Sequence, residues 1–184
     1  MGISQVHKTA SVLAERLNAD QIDYAIAGAL ALNAHGVQRM TEDVDVLISR
    51  KDLRRFKKHW LGRGYIEVRP GGKSIRDAET NVRIDFLIAG DFPGDGRPKP
   101  VSFPDPKTSR VQGDRFSVLS LPMLIELKIA PGMTAKDRPG DLQDVIRLVR
   151  ARSLPRDFQK QLDPYVRGKF LELWEAAQAA SEDY

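Results

Sequence analysis

Two aspartates separated by a single residue stand at the start of an apolar segment of this chain. The segment reads Asp-Val-Asp-Val-Leu-Ile and places the acids at Asp43 and Asp45. On a strand, alternate side chains point to the same face, so the two carboxylates would repel each other without a cation between them. Their hard oxygen atoms suit Mg²⁺ or Mn²⁺, which take their remaining ligands from water and from substrate phosphates.

A third carboxylate, Asp85, interrupts the apolar segment Arg-Ile-Asp-Phe-Leu-Ile, where an unpaired charge would be costly. If this strand lies beside that of Asp43 and Asp45, all three acids can converge on one edge of a sheet. They could then hold two metal ions, an arrangement that serves in-line displacement at phosphorus. The alternative is structural: Asp43 and Asp45 form an acidic strand end, and Asp85 pairs with Arg83 or another base.

Hydrophobic periodicity and turn residues predict the elements that must position these acids. The predicted strands are Asp23–Ala27, Val44–Ile48, Tyr65–Val68, Ser74–Arg76, Val82–Ile88 and Phe116–Leu119. The predicted helices are residues 5–18, Ala29–Ala34, Lys51–Leu61, Pro122–Ala130 and, with interruptions near Pro131–Gly140, Pro155 and Pro164, the remainder of the chain. Five prolines and three glycines favour a long loop over Gly90–Pro106. This order predicts an α/β or α+β fold, a sheet with helices against it.

Charge and composition narrow the classes of partner. The net charge is +4, but residues 50–83 alone contain eleven Lys or Arg and four acids. This basic segment suits a polyanion such as a triphosphate or a nucleic acid, although a solvated helix face is the alternative. The absence of cysteine excludes disulfides, thiolate zinc sites and cysteine nucleophiles. With no apolar signal region and no run long enough to span a bilayer, we expect a cytoplasmic protein without a membrane partner.

Two blocks of the sequence resemble a known superfamily. Ala-Ile-Ala-Gly-Ala, followed after a short helix and a basic turn by Asp-Val-Asp-Val, resembles the signature of the nucleotidyltransferases. Within it, Gly-Val-Gln-Arg-Met-Thr-Glu-Asp-Val-Asp resembles the Gly-x-x-Arg-x-Thr-x-Asp-x-Asp motif of the minimal bacterial branch that includes the AbiEii-type toxin enzymes. The block from Leu124 to Val145 is similar to the downstream helical motif of the same group.

The resemblance implies a nucleotidyltransferase-like mixed sheet flanked by helices. Residues 1–120 would form the catalytic core, and residues 121–184 a helical C-terminal extension packed on it. Asp43, Asp45 and Asp85 would bind Mg²⁺ or Mn²⁺, and Asp85 would help to deprotonate the attacking hydroxyl. Gly28 would let the backbone approach a nucleoside triphosphate at a helix N-terminus. Ala29 replaces the usual Gly or Ser, which weakens the triphosphate contact or leaves it to backbone amides.

Four further residues are implicated by the same blocks. Arg39 could neutralise phosphate or brace the acids, and Thr41 could contribute to nucleotide binding or simply fix the turn before the strand. Lys128 could reach the nucleotide phosphates, or its stem could pack while its head reaches water. Lys136 is a candidate phosphate contact.

The implied reaction moves a nucleoside monophosphate from a nucleoside triphosphate to an acceptor hydroxyl. The acceptor could be the end of tRNA or another RNA, a protein, or a small molecule such as an antibiotic. The basic segment favours a nucleic acid, and a toxin–antitoxin role would add an antitoxin or other partner protein. The alternative is a catalytically silent nucleotide-binding or partner-binding module with the same fold, which Ala29 favours and the three acids disfavour.

Overall fold

The computed structural model describes residues 4–134 and 139–179. These residues form, in order, α1 (Gln5–Ala19), β1 (Tyr24–Ile26), α2 (Gly28–Ala34), β2 (Asp43–Ile48), α3 (Arg50–Trp60), β3 (Tyr65–Glu67), β4 (Ser74–Asp77), β5 (Arg83–Ile88), α4 (Pro106–Ser109), β6 (Arg110–Gln112), β7 (Ser117–Leu119), α5 (Leu121–Thr134), α6 (Pro139–Ala151), a 3₁₀ helix (Arg156–Gln161) and α7 (Pro164–Ala179).

The strands of the described residues form one seven-stranded sheet in the order β3-β4-β5-β2-β1-β7-β6. The pairs β2–β5 and β1–β7 are parallel, and the other neighbours are antiparallel. The register of β2 and β5 places Asp43 opposite Arg83 and Asp45 opposite Asp85. The predicted mixed sheet is therefore confirmed, and the condition for bringing the acids together, that their two strands are neighbours, is met.

The two faces of this sheet have different neighbours. The alternate residues Val44, Val46, Ile84 and Phe86 are buried, and the ring centroid of Phe56 in α3 lies 6.0 Å from that of Phe86. We call this side the α3 face. Since side chains alternate along a strand, the acids of β2 and β5 point to the opposite side, which we call the acid face.

Polar side chains define where the helices around the sheet begin. Ser49 Oγ accepts the amide of Asp52 at 3.0 Å, so α3 starts directly after β2. At α7, Asp163 Oδ1 accepts the amide of Tyr165 at 2.8 Å, and Pro164 occupies the first turn, where its missing N–H costs nothing.

Three elements differ from the prediction. Helix α5 continues through Pro131 to Thr134 instead of ending at Ala130, because a proline in the last helical turn removes only one backbone hydrogen bond. The short helix α4 and the edge strand β6 were not predicted. Strand β6 pairs Val111 with Val118 of β7, but Val111 is 42% exposed, so β6 has no buried face to produce an alternating pattern.

A continuous cluster of buried apolar side chains joins the sheet to the C-terminal helices. Ile129 of α5, Leu148 of α6 and Phe170 of α7 belong to the same cluster as the strand residues. In the described parts of the chain, no helix combines the length and apolar character needed to cross a bilayer.

Candidate active site

A cleft of about 640 Å³ opens on the acid face, between the sheet, helix α5 and the loop that follows β5. Its walls include the start of α2, one acid of β2, the apolar face of α5 and the loop after Ile88. The residues that line the cleft include Gly28, Asp45, Lys73, Asp91, Leu127 and Lys128.

The three predicted acids lie together on the acid face. Asp45 is directly opposite Asp85 on strands that are about 4.8 Å apart, and Asp43 is one pleat away on the same side of β2. Among the described residues, however, no group of three or more acidic, His or Cys side chains converges closely enough to hold a metal ion as it stands. Hydrogen bonds from neighbouring side chains hold the carboxylates of Asp43 and Asp85 in other orientations.

Asp85 is held by two side chains that are not acids. Ser74 Oγ and Arg83 Nε both donate to Asp85 Oδ1, the latter at 2.9 Å, and Arg83 Nη2 donates to Ser74 Oγ at 3.1 Å. The structural alternative for Asp85, a pair with Arg83, is therefore present in this geometry. The Asp85 carboxylate has a fixed orientation as a consequence.

The Asp43 side chain is held by Thr41, two residues earlier in the chain. Thr41 Oγ1 donates to Asp43 Oδ1 at 2.6 Å and also contacts the Asp43 carbonyl oxygen at 3.1 Å. Thr41 thus fixes the turn that leads into β2, one of the roles expected for it. Carboxylate oxygens on two adjacent strands, with Asp45 lining the cleft, are the hard ligands that Mg²⁺ and Mn²⁺ prefer, so the donor set fits such an ion.

The start of α2 lies against Asp45. Gly28 has a φ of +58°, which disfavours other residues, and a Cβ built there would overlap Asp45 Oδ2. Ala27 donates its amide to the Asp45 carbonyl at 2.9 Å, and its side chain does not cap the helix. Ala29 likewise offers no hydroxyl. Glycine at position 28 is therefore required by the approach of the Asp45 carboxylate itself.

Lys128 lines the cleft, and its amine contacts carboxylates of α6 there. Its side chain is 9% exposed, and its amine lies 2.9 Å from Asp141 Oδ1 and 2.8 Å from Asp144 Oδ2, both on α6. Arg39 pairs with the same Asp144 oxygen. We call Arg39, Lys128, Asp141 and Asp144 the buried ion group.

Arg39 is anchored through its backbone as well as its side chain. Its amide donates to Asn33 Oδ1 at 2.7 Å, and its carbonyl accepts from Asn33 Nδ2 at 3.1 Å. The loop before β2 is thereby tied both to α2 and to Asp144 in α6. Lys136, the other predicted phosphate contact, lies outside the described residues.

A second charged cluster stands at the mouth of the cleft. Asp91 accepts from Lys73 Nζ at 2.5 Å and from Arg50 Nη2 at 2.7 Å, and we call these three residues the rim ion group. The Lys73 ammonium, and then the Arg50 guanidinium, hold the pKa of Asp91 below its ordinary value. The sequence analysis missed this group because its members are far apart in the chain and match no motif.

The mixed sheet, with acids on neighbouring strands beside a helix start, defines a nucleotidyltransferase-like fold. The solved structure of ANT(2″)-Ia in complex with adenylyl-2″-tobramycin is similar to this chain, with a TM-score of 0.57, 16% identity, and 97% of this chain and 99% of that chain covered. At this identity the similarity establishes the fold alone.

Two other solved structures have the same fold. An antigenic nucleotidyltransferase-like protein from Paracoccidioides brasiliensis matches with a TM-score of 0.52 and 18% identity, over 79% of this chain and 76% of that chain. A Thermotoga maritima protein assigned as a nucleotidyltransferase matches with a TM-score of 0.52 and 13% identity, over 70% and 86%. No protein-family model matches the sequence, and no curated protein matches it.

Proposed function

We propose that this protein is a metal-dependent nucleotidyltransferase that moves a nucleoside monophosphate from a nucleoside triphosphate to an acceptor hydroxyl. The observation that carries the proposal is the position of Asp45, directly opposite Asp85 and in contact with Gly28, in a cleft of a nucleotidyltransferase-like fold. The similar structures, all nucleotidyltransferases or proteins assigned as such, support the same reaction class.

In the proposed reaction, the acids would bind metal and the start of α2 would bind the triphosphate. Asp43, Asp45 and Asp85 would hold Mg²⁺ or Mn²⁺, which when bound stabilises charge on the attacking and leaving oxygens. Asp85, oriented by its two hydrogen-bond donors, would take the proton of the acceptor hydroxyl. The backbone at Gly28 and Ala29 would donate amides to the triphosphate.

The cationic side chains would serve the triphosphate indirectly. Lys128 lines the cleft while bound to Asp141 and Asp144, so it contributes a positively charged wall in a place that little water reaches. Arg39 would brace the loop before β2 through Asp144. Lys136 remains our candidate for a direct phosphate contact.

Charge at the cleft bears on the acceptor. ANT(2″)-Ia was solved with an adenylylated tobramycin, but a polycationic drug requires an acidic pocket. Among the described residues, the charged residues that line this cleft are Asp45, Asp91, Lys73 and Lys128. Their two negative and two positive charges cancel, so the cleft is not acidic. The basic segment of residues 50–83 favours a nucleic acid such as an RNA end over a protein or a small molecule. Membership of the AbiEii-like branch, and with it an antitoxin partner, stays a prediction.

A catalytically silent binding module is the second candidate. It is favoured by Ala29, which removes a hydroxyl from the triphosphate contact, and by Arg83, which already occupies an oxygen of Asp85. Such a module would bind triphosphate and metal without turnover.

Transfer of label from α-labelled nucleoside triphosphates tests both candidates. Each triphosphate would be incubated with Mg²⁺ or Mn²⁺ and with total RNA, a protein mixture or an antibiotic panel. We expect label in one pool with the wild type and with Asp157→Asn, an exposed acid in the 3₁₀ helix. Asp45→Asn and Asp85→Asn should lose it. Absence of label from every pool, despite a melting temperature raised by metal and triphosphate, would establish the binding module.

A further inference from the structure

The basic segment of residues 50–83 is divided between the two faces of the sheet. Helix α3 packs on the α3 face through Phe56, so its exposed cations Arg54 and Lys58 lie on the side away from the acids. Arg76 of β4 is paired with Arg83 of β5, and paired residues on neighbouring strands point to the same face. Because Arg83 shares its face with Asp85, both arginines lie on the acid face.

One row of side chains crosses the acid face from the catalytic acids to the edge of the sheet. The register places Asp43 beside Arg83, Arg83 beside Arg76, and Arg76 beside Ile66 of the edge strand β3. We call Ile66, Arg76 and Arg83 the basic strip. Three strand spacings give it a reach of about 14 Å from the acids.

The basic strip is open to solvent. Ile66 is 61% exposed and the Arg83 side chain 46%, and Arg76 is also exposed. The nearby surface adds positive charge, since Arg69 in the turn between β3 and β4 is exposed too. The exposed isoleucine at the edge of the sheet offers an apolar contact next to the two arginines.

We propose that the basic strip binds the single-stranded end of a nucleic acid and leads its terminal hydroxyl to Asp45 and Asp85. The inference rests on the proposed function and names the acceptor class for it. Two arginines suit successive phosphates, and Ile66 suits the face of an unpaired base. A chain longer than one nucleotide is needed, because about 14 Å separates Ile66 from the acids. The exposed cations Arg54 and Lys58 of α3, on the other face, take no part.

Binding of a short fluorescein-labelled single-stranded RNA, and of DNA of the same sequence, tests the proposal by anisotropy without triphosphate. Arg76→Glu should weaken binding by about tenfold and lower the salt slope by about 0.7 for each phosphate that the variant no longer neutralises. Arg54→Glu makes the same charge change on the α3 face and should bind like the wild type. The tighter of the RNA and DNA arms identifies the kind of nucleic acid.

A second variant guards against a folding defect, because Arg76 Nη1 also donates to the Asn81 carbonyl at 2.9 Å. Ile66→Asp places a negative charge in the strip at an exposed position and should weaken binding by a similar factor. An equal loss in Arg54→Glu, or an acidic peptide that displaces the RNA at lower concentration than unlabelled RNA does, would overturn the inference.

The transfer assay separates this inference from the proposed function. Asp45→Asn should keep the nucleic-acid affinity of the wild type while losing transfer. If the wild type labels a protein or an antibiotic and binds neither RNA nor DNA, the basic strip proposal fails and the transferase stands. If the strip variants weaken binding but no pool is ever labelled, the surface stands and the transferase fails.

Discussion

The buried ion group reaches the cleft through Lys128 and the rim ion group through Lys73 and Asp91, but the two groups differ in how much water reaches them. In the buried group, the Asp144 side chain is 2% exposed and that of Lys128 is 9% exposed, while Arg39 approaches from the surface and is 42% exposed. In the rim group, Asp91 is 30% exposed and Lys73 53% exposed. Removing one partner of a buried pair strands a charge, whereas an exposed pair contributes little. The buried group should therefore fix the cleft geometry, and the rim group should exchange partners easily.

The largest effect should come from Asp144→Ala. It removes the carboxylate shared by Lys128 and Arg39, so we expect the free energy of unfolding to fall by about 3–5 kcal/mol. Urea denaturation measures this change. Asp157→Ala, which removes an exposed carboxylate, should stay within about 0.5 kcal/mol of the wild type. A loss below about 1 kcal/mol in Asp144→Ala would mean that Asp141 alone compensates Lys128.

The next largest effect should come from Gly28→Ala, on the strand side of the cleft. The new Cβ overlaps Asp45 Oδ2, and the positive φ adds roughly 1–2 kcal/mol of backbone strain. Because Asp45 must move, we expect transfer to fall by about a hundredfold, as misplacement by about 1 Å can cause. The measurement is kcat/KM for label transfer.

Gly36→Ala is the matched control for this change. Gly36 also has a positive φ, but a Cβ there meets nothing within 4 Å. It should lose stability to backbone strain and keep its transfer rate. If both glycine variants lose transfer equally, the effect belongs to backbone strain and not to the displacement of Asp45.

Features that depend on neighbouring residues in the chain could be predicted from the sequence. The acid-bearing strands could be identified from local patterns, since Asp43 and Asp45 alternate with valines and Asp85 interrupts a buried strand. The fold followed from the order of such segments. Gly28 was marked by its position after a strand, although the contact with Asp45 that requires it is visible only in three dimensions.

The charged contacts could not be predicted, because they join distant parts of the chain. Arg39 and Asp144 are 105 residues apart, so no local sequence pattern indicates that they pair. Lys128 and Asp144 each resemble ordinary helix-surface charges in the sequence. Their burial arises only when α5 and α6 pack together. The orientation of Asp85 could not be deduced from strand register alone, since Ser74 and Arg83 hold its carboxylate.

Glu126 sharpens the comparison, because it is a buried carboxylate that accepts a backbone amide, that of Asp163 at 2.7 Å. Burial raises its pKa, and the Asp163 amide only partly offsets this. A raised carboxyl pKa stabilises the fold below the unfolded value of about 4.3 and loses that contribution as pH rises through the folded pKa.

Glu126→Gln should therefore gain stability over the wild type as pH rises, because an amide oxygen accepts the same hydrogen bond without a buried charge. Urea denaturation between pH 4 and pH 8, with the buffer salt held constant at about 0.15 M, measures the difference. A difference that is constant with pH would exclude titration of Glu126 as the cause.

The smallest effect should come from Asp91→Asn in the rim group. Since its pKa is held low by Lys73 and Arg50, Asp91 stabilises the fold above about pH 3.9 and loses this effect as pH falls further. At neutral pH the loss should be at most about 1 kcal/mol and should shrink with added salt.

If the rim cations exchange partners, removing Asp91 frees them for phosphate, and KM for the triphosphate should fall by about two- to fivefold. Asp95→Asn in the same loop, whose partner is Lys99, should leave KM unchanged. A KM that rises in Asp91→Asn would mean that Asp91 positions these cations instead of competing for them, and the two ion groups would then share one role.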